Sequence, residues 1–343
     1  MFPKKIMLAV MLMLFSTPAK AQDLVFIVAS YHQDDPCEKL QYAGVISALK
    51  RSMSQELKIC SYYLDSKRLS QDKVNKKINE VLSAIDKEKP KVIIALDDLA
   101  FSVIAPKVIG YEDTFLVFSG INRSLEEYNA KLHFLQGDKP IKNITGVYEC
   151  LFMRKQMELL DLILERPSKV ALIYSTDYMG QIAKSQVLRE LGNSEYKDRI
   201  ELFPVTTMKE LEAAIQTIAS RPDIQAYIPL ILSVSPKYPR KKHYKQTIEG
   251  VAPLLTSKIK KIDLTPNKLF TELGFFGGYS VDFFQMGHQA GLLAVRLLES
   301  HPISSLLIEN SKNYKIIVNK KRVKELGMRL NDEVLSLVDE FIQ

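Results

Sequence analysis

The sequence predicts an α/β protein of two lobes, each a parallel sheet flanked by helices. Three observations point there. Short apolar runs recur without strict alternation, as strands buried on both faces do. Segments of helical periodicity separate them. The pattern restarts near residue 145, so the 343 residues hold two such units rather than one.

The elements follow in order. Leu24 to Ala29 (LVFIVA) is a first buried strand, ending in a polar turn, Ser30 to Pro36. Tyr42 to Met53 has helical spacing through Val45, Ile46, Leu49 and Met53. Glu56 to Leu64 is a second strand. Asp72 to Lys87 is amphipathic, with Val74, Ile78, Val81, Leu82 and Ile85 on one face. Val92 to Leu96 is a third strand, followed by Asp97-Asp98 and a helix from Leu99. Phe115 to Phe118 is a fourth strand, ending in Ser119-Gly120-Ile121-Asn122.

The second unit opens with the extended segment Ile144 to Val147 and a helix from Met153 to Glu165. Strands are expected at Val170 to Tyr174, Ile200 to Val205 and Ala226 to Leu232, the last weakened by Pro229. Helices are expected at Gln181 to Leu191 and Met208 to Ala219. An extended, Gly-hinged stretch runs from Phe275 to Asp282. The helix Phe284 to Glu299 after it carries Gly287, Ala290, Gly291 and Ala294, which suit close packing. A strand at Tyr314 to Val318 and helices at Lys320 to Leu326 and Asn331 to Ile342 close the chain. The expected division is 22–145 with 280–303 for lobe one, and 146–279 with 304–343 for lobe two.

The first 21 residues read as an export signal. Lys4 and Lys5 form a basic start, Ile6 to Phe15 an apolar run, and Ala19-Lys20-Ala21 a small-x-small cleavage pattern. The run is about 10 residues, short of the roughly 20 that span a bilayer. Cleavage after Ala21 removes Lys4, Lys5 and Lys20, so the formal charge falls from +7 to +4. A periplasmic protein is expected. With 46% hydrophobic and 25% charged residues the rest is ordinary globular sequence, without the basic excess of a nucleic-acid binder. Arg240-Lys241-Lys242-His243 is the one dense basic cluster, and Lys258 to Lys261 reads as a solvated face. Cys37, Cys60 and Cys150 leave at least one thiol unpaired within the chain, and whether Cys37 and Cys60 are bonded stays open. No CxxC or Cys/His cluster indicates a metal, and no cofactor motif appears. HExxH, GxSxG, P-loop and GxGxxG patterns are absent, so no enzyme activity is expected.

Several short motifs share an order and spacing with a known group. They are Ser30-Tyr31-His32, Ala95-Leu96-Asp97-Asp98-Leu99-Ala100, Phe118-Ser119-Gly120-Ile121-Asn122 and Asn143-Ile144-Thr145-Gly146-Val147. Gly278-Tyr279-Ser280-Val281-Asp282, Gly287-His288-Gln289-Ala290-Gly291 and Ile316-Ile317-Val318-Asn319 continue the series. Over most of the chain this resembles the substrate-binding proteins of ABC transporters with a type I periplasmic-binding fold, in a branch that includes aromatic amino acid binders. The resemblance implies capture of a small molecule between the lobes and delivery to an ABC permease. A membrane signalling protein as partner is the alternative. A monomer without nucleic acid is expected.

Ligands in open α/β sheets bind beyond the carboxyl ends of the strands. The candidates from lobe one are therefore Ser30, Tyr31, His32, Asp97, Asp98, Ser119 and Asn122. Tyr148, Glu149, Ser175, Asp177 and Ser233 come from lobe two, and Tyr279 and Asp282 from the return crossover. Each has a plainer role beside it. Ser30, Ser119, Ser175, Asp177 and Asp282 suit helix caps. Tyr31 and Tyr279 suit hinge packing, His32 a loop hydrogen bond, and Glu149 a solvated helix start. Asp97 or Asp98 suits an ammonium group, or one caps while the other faces water.

Overall fold

A computed structural model describes residues 22–53, 56–165, 168–230, 233–235 and 246–343. The first 21 residues, expected as an export signal, and the basic cluster at 240–243 lie outside the described residues. In chain order the first unit holds β1 (Leu24–Ala29), α1 (Pro36–Ser52), β2 (Lys58–Tyr63), α2 (Gln71–Glu88), β3 (Val92–Leu96) and α3 (Asp97–Val108). β4 (Phe115–Ile121), α4 (Leu125–Leu132), the small hairpin β5 (Leu135–Gln136) and β6 (Lys139–Pro140), and β7 (Ile144–Tyr148) complete it. The second holds α5 (Met153–Leu164), β8 (Lys169–Ser175), α6 (Tyr178–Leu191), α7 (Glu195–Asp198), β9 (Ile200–Val205), α8 (Met208–Ser220) and β10 (Ile224–Leu230). It continues through β11 (Ser233–Val234), β12 (Gln246–Thr247), α9 (Ile248–Lys258), β13 (Ile262–Asp263) and α10 (Lys268–Glu272). The last part holds β14 (Gly277–Val281), α11 (Phe283–Leu298), β15 (Glu309–Asn310), β16 (Tyr314–Asn319), α12 (Lys320–Glu325), α13 (Asp332–Leu337) and β17 (Glu340–Ile342).

Lobe one is a six-stranded sheet in the order β15-β7-β4-β3-β1-β2, parallel throughout. Strand periodicity explains why its runs are apolar without alternating. Val25, Ile27, Val92, Ile94 and Val117 face α1 and α11. Phe26, Val28, Ile93, Ala95 and Phe118 face α2 and α3. Both faces are covered at the central strands β1 and β3, so every position there is apolar. Lobe two repeats this with the parallel order β13-β10-β8-β9. Pro229 lies inside a central strand. β13 pairs only with Ala226 and Tyr227, so at Pro229 the strand has a partner on one side and proline is tolerated.

Three connections join the lobes, at 149–152, around Asp282 and at 311–313. They are tied together: Ser311 N–H donates to Tyr148 O at 2.8 Å, its hydroxyl accepts from Cys150 N–H at 2.9 Å, and Asp282 N–H donates to Asn313 O at 3.3 Å. The division expected at 145/146 falls inside β7, and β15, from a stretch expected in lobe two, pairs with β7 in the first sheet.

Two expectations need correction. The final segment is not one helix from Asn331 to Ile342. α13 ends at Leu337, and Glu340–Ile342 adds as a parallel strand to β16. The Asp339 carboxylate accepts from Ile316 N–H at 2.8 Å and so steers the chain onto that edge. Nor is Lys261 part of a solvated face. It is half-buried and donates to the carbonyls of Arg221 and Ile224, the latter at 2.6 Å. All three cysteines are free thiols.

Candidate functional site

The carboxyl ends of β1, β3, β4 and β7 converge, and α1 starts beside them. Asp35-Pro36 sets that start. Asp35 accepts from the N–H groups of Cys37 and Glu38 at 3.2 Å, and proline suits the first helical turn. The cap places Glu38 at the sheet end. Glu38 is 0% exposed, and its Oε2 accepts from Tyr31 N–H at 2.9 Å. Its Oε1 has no hydrogen-bond partner among the described residues. Burial pushes this carboxyl up to about 8.

Asp97 and Asp98 stand side by side after β3 and do different work. Asp98 braces the loop after β4. It accepts from Asn122 N–H at 2.9 Å, Arg123 N–H at 3.2 Å and the Tyr128 hydroxyl at 2.8 Å. Asp97 takes a left-handed backbone, φ 67°, which aspartate tolerates better than most residues. It is 8% exposed, and no hydrogen bond or ion pair reaches its carboxyl among the described residues. Burial raises it well above the usual carboxylate range, and Glu38 and Glu149 add to the shift. Glu149, a ligand candidate whose plainer alternative is a solvated helix start, is 8% exposed and lies four residues before α5. Burial pushes it up to about 8 against a hydrogen bond from Asn122. Glu38, Asp97 and Glu149 are thus three buried carboxyls at these strand ends, with Asp97 feeling the charge of both others.

The positive groups nearby are engaged. Lys67 donates to Asp35 at 2.6 Å and lies 3.7 Å over the Tyr31 ring. Burial, Asp97 and Glu38 together raise the Tyr31 hydroxyl. Arg123 sits 5.3 Å from the Tyr128 ring and 5.0 Å from the Tyr178 ring of α6. Arg189, also on α6, donates to the Tyr148 hydroxyl and to Asn122 O at 3.1 Å. Tyr148 donates in turn to Asn122 O at 2.8 Å. Asn267 of lobe two donates to Cys37 Sγ at 3.5 Å. These contacts bring α6 and the start of α10 over the strand ends of lobe one.

Tyr31, Asp97, Asp98, Asn122, Tyr148 and Glu149 of the expected set meet here. Several others serve as structure. Ser30 donates to Leu96 O at 2.6 Å and accepts from Ala100 N–H at 2.9 Å, so it caps α3 from a neighbouring strand. Ser175 donates to Asp177, which caps α6 through Gly180 N–H at 2.9 Å. Asp282 caps α11 through Gln285 N–H at 3.0 Å. Tyr279 is held in β14 by Gln156, which bonds both its N–H and its carbonyl, and its ring meets Tyr314 edge-on at 4.9 Å. Ser233 pairs with Thr247 in a two-strand ribbon. Ser119 is buried at the end of β4 with no partner for its hydroxyl, and the Nδ1 of His32 is likewise unpartnered, among the described residues. Glu38, Lys67, Arg189 and Asn267 were not legible as site residues. Asp35-Pro36, which starts α1 two residues before Glu38, was the available signal for the first. Among the described residues no group of three or more His, Cys, Asp or Glu is arranged to hold a metal. No described helix is long and apolar enough to cross a membrane.

Comparison with known proteins agrees with this layout. Residues 33–342 match the family model described as ABC transporter substrate binding protein. A tyrosine-binding protein of Clostridioides difficile (strain R20291) is 23% identical over 195 residues, 56% of this chain and 52% of the relative, so the match spans about half the length of that relative. Among solved structures, the ABC domain from Streptococcus pneumonia in complex with L-Trp is 18% identical, with TM-score 0.65 over 94% of this chain and 100% of the other. The ligand-free, open structure of a Clostridium difficile substrate binding protein with adhesive properties is 14% identical, with TM-score 0.70 over 94% and 99%. Two parallel-sheet lobes tied by three connections, with a match running from residue 33 to residue 342, place this chain in the ABC transporter substrate-binding protein family.

Proposed function

We propose that the protein captures an amino acid or a related ammonium-bearing solute between its lobes and delivers it to an ABC importer from the periplasm. No bond is broken; binding and release are the whole task, and the protein acts as a monomer without nucleic acid. The observation that carries this is the set Glu38, Asp97 and Glu149, buried at the strand ends of lobe one beneath contacts from α6. Buried carboxyls without a basic partner are costly unless a cation or protons compensate them. An ammonium group is a pure hydrogen-bond donor and suits them. The L-Trp complex and the tyrosine-binding relative are consistent with an amino-acid class. Lobe closure is a hinge motion whose population the solute shifts.

The test is a thermal-shift screen of amino acids, amines, sugars, nucleosides and organic anions. At about 100 Kd an ammonium-bearing ligand should stabilise by about 2.7 kcal/mol. Stabilisation by sugars or anions, with none from any amine or amino acid, would remove the reading.

A further inference from the structure

The charges around the cleft do not cancel, and the imbalance says what kind of amine fits. Asp35 is matched by Lys67. Asp98 has three donors, and Glu190 accepts from the N–H groups of Leu151 and Met153. No ion pair reaches Glu38, Asp97 or Glu149 among the described residues, and Lys67, whose charge is felt by Glu38 and Asp97, is itself paired with Asp35. A second observation is independent of the acidic cluster. Gln41, one turn along α1 from Glu38, is 1% exposed, and its Oε1 has no donor. Its amide lies against Gly120 at the end of β4, where an added Cβ would meet Gln41 Nε2 at 2.4 Å. Glu38 Oε1, Gln41 Oε1 and Ser119 Oγ are thus buried and unpartnered around the same strand ends among the described residues.

We propose that the cleft selects a solute of net positive charge, a basic amino acid or a short diamine, whose ammonium groups lie among Glu38, Asp97 and Glu149. This rests on the amino-acid or amine reading above and narrows it. A neutral zwitterion brings one ammonium but also a carboxylate, which would meet three acids with the nearby lysine and arginines already engaged. Lys67, Arg123 and Arg189 are held by Asp35, by the Tyr128 and Tyr178 rings, and by Tyr148 and Asn122. A second ammonium instead meets further acceptors.

Capture then displaces protons. Without a cation the buried carboxyls hold them, and an ammonium at contact distance favours the ionised form. The proton leaves to solvent, so affinity rises with pH until these groups are ionised in the free protein. The other titratable groups facing the set do not reverse that sign. Tyr31 and Cys37 are raised and stay neutral. Asp98 and Glu190 are raised by burial like the set itself. Lys67 is paired with Asp35, and Arg123 lies against the Tyr128 and Tyr178 rings.

Titration calorimetry of the exported chain tests this. Lysine, ornithine and putrescine are compared with tyrosine, tryptophan, leucine and glutamate at pH 6, 7 and 8, in buffers of different ionisation heat. The basic ligands should bind about tenfold or more tighter than the neutral ones. Their Kd should fall by up to about tenfold per pH unit for each proton released. Asp97→Asn and Glu149→Gln keep shape and remove charge. Each should narrow the preference for basic ligands and reduce proton release, with folding checked by its melting curve. Neutral amino acids binding as tightly as basic ones, without proton release, would overturn the net-charge inference and leave the amino-acid reading standing. No binding by any amine or amino acid overturns both. If one variant does not fold, the other and the wild-type pH profile still decide.

Discussion

Glu38 shows how a single carboxyl sets the chemistry and strains the fold. Its position follows from Asp35-Pro36, a cap and a first-turn proline that start α1 earlier than hydrophobic periodicity alone indicates. The periodic residues begin at Tyr42, so a reading built on periodicity leaves Glu38 in a loop. Asp97 and Asp98 are visible in the sequence as a pair, suited to an ammonium group or to one cap and one solvated side chain. Which one braces and which one stays unpartnered depends on Tyr128 and the Asn122 loop, more than 20 residues away. The pH consequence has a definite sign. Glu38 and Glu149 rise from 4.5 to about 8 on folding, so the folded state keeps protons the unfolded chain has lost. The stability from this difference is fully present below about pH 4.5 and is lost as pH rises through about 8. Ligand-free protein should therefore lose a few kcal/mol between pH 5 and pH 8. Glu38→Gln should flatten the profile in urea titrations at several pH values. A wild-type profile with no such decline would contradict the burial argument.

At the scale of elements, α1 against α11 is the tightest helix contact in lobe one. A Cβ on Gly44 would meet Phe284 O at 2.0 Å, and one on Gly287 would meet Gln41 O at 2.0 Å. Both obstacles are backbone, so neither helix can give locally. Gly44→Ala should cost roughly 1–3 kcal/mol of stability, read as a lower urea midpoint at unchanged slope. An unchanged midpoint would mean the helices sit further apart. The small residues of α11 were readable as a packing stripe, but their partner was not. The helix pairs with one some 240 residues earlier, and sequence spacing carries no information about that. The chain end went wrong for a related reason. Val334, Val338 and Phe341 continue a helical pattern, yet the edge of β16 offers backbone partners, and the last residues add to the sheet instead. Pro229 shows the opposite case, a local warning overridden because its neighbour strand is too short to need the missing N–H.

For the whole molecule, the contacts of Arg189 on α6 and Arg123 in the loop after β4 join the two lobes. Arg189→Ala removes a lobe-to-lobe contact without touching the carboxyl set. It should shift the population toward open forms, raise the radius of gyration in small-angle scattering without ligand, and weaken ligand binding by about tenfold. Unchanged scattering and affinity would show that Arg189 does not hold the lobes together. The two α/β units, the order of their strands along the chain and the strand ends where polar residues gather were legible in the amino-acid order. Burial on both faces makes the central strands unbroken apolar runs, and the polar residues of the candidate site gather where those runs stop. Lobe membership of the last third, the burial of Glu38, Asp97 and Glu149 without an ion pair among the described residues, and the engagement of Lys67, Arg123 and Arg189 elsewhere came from folding alone. Charge balance in a cleft depends on which side chains meet across hundreds of residues, and burial, which moves the protons, exists only once they have met.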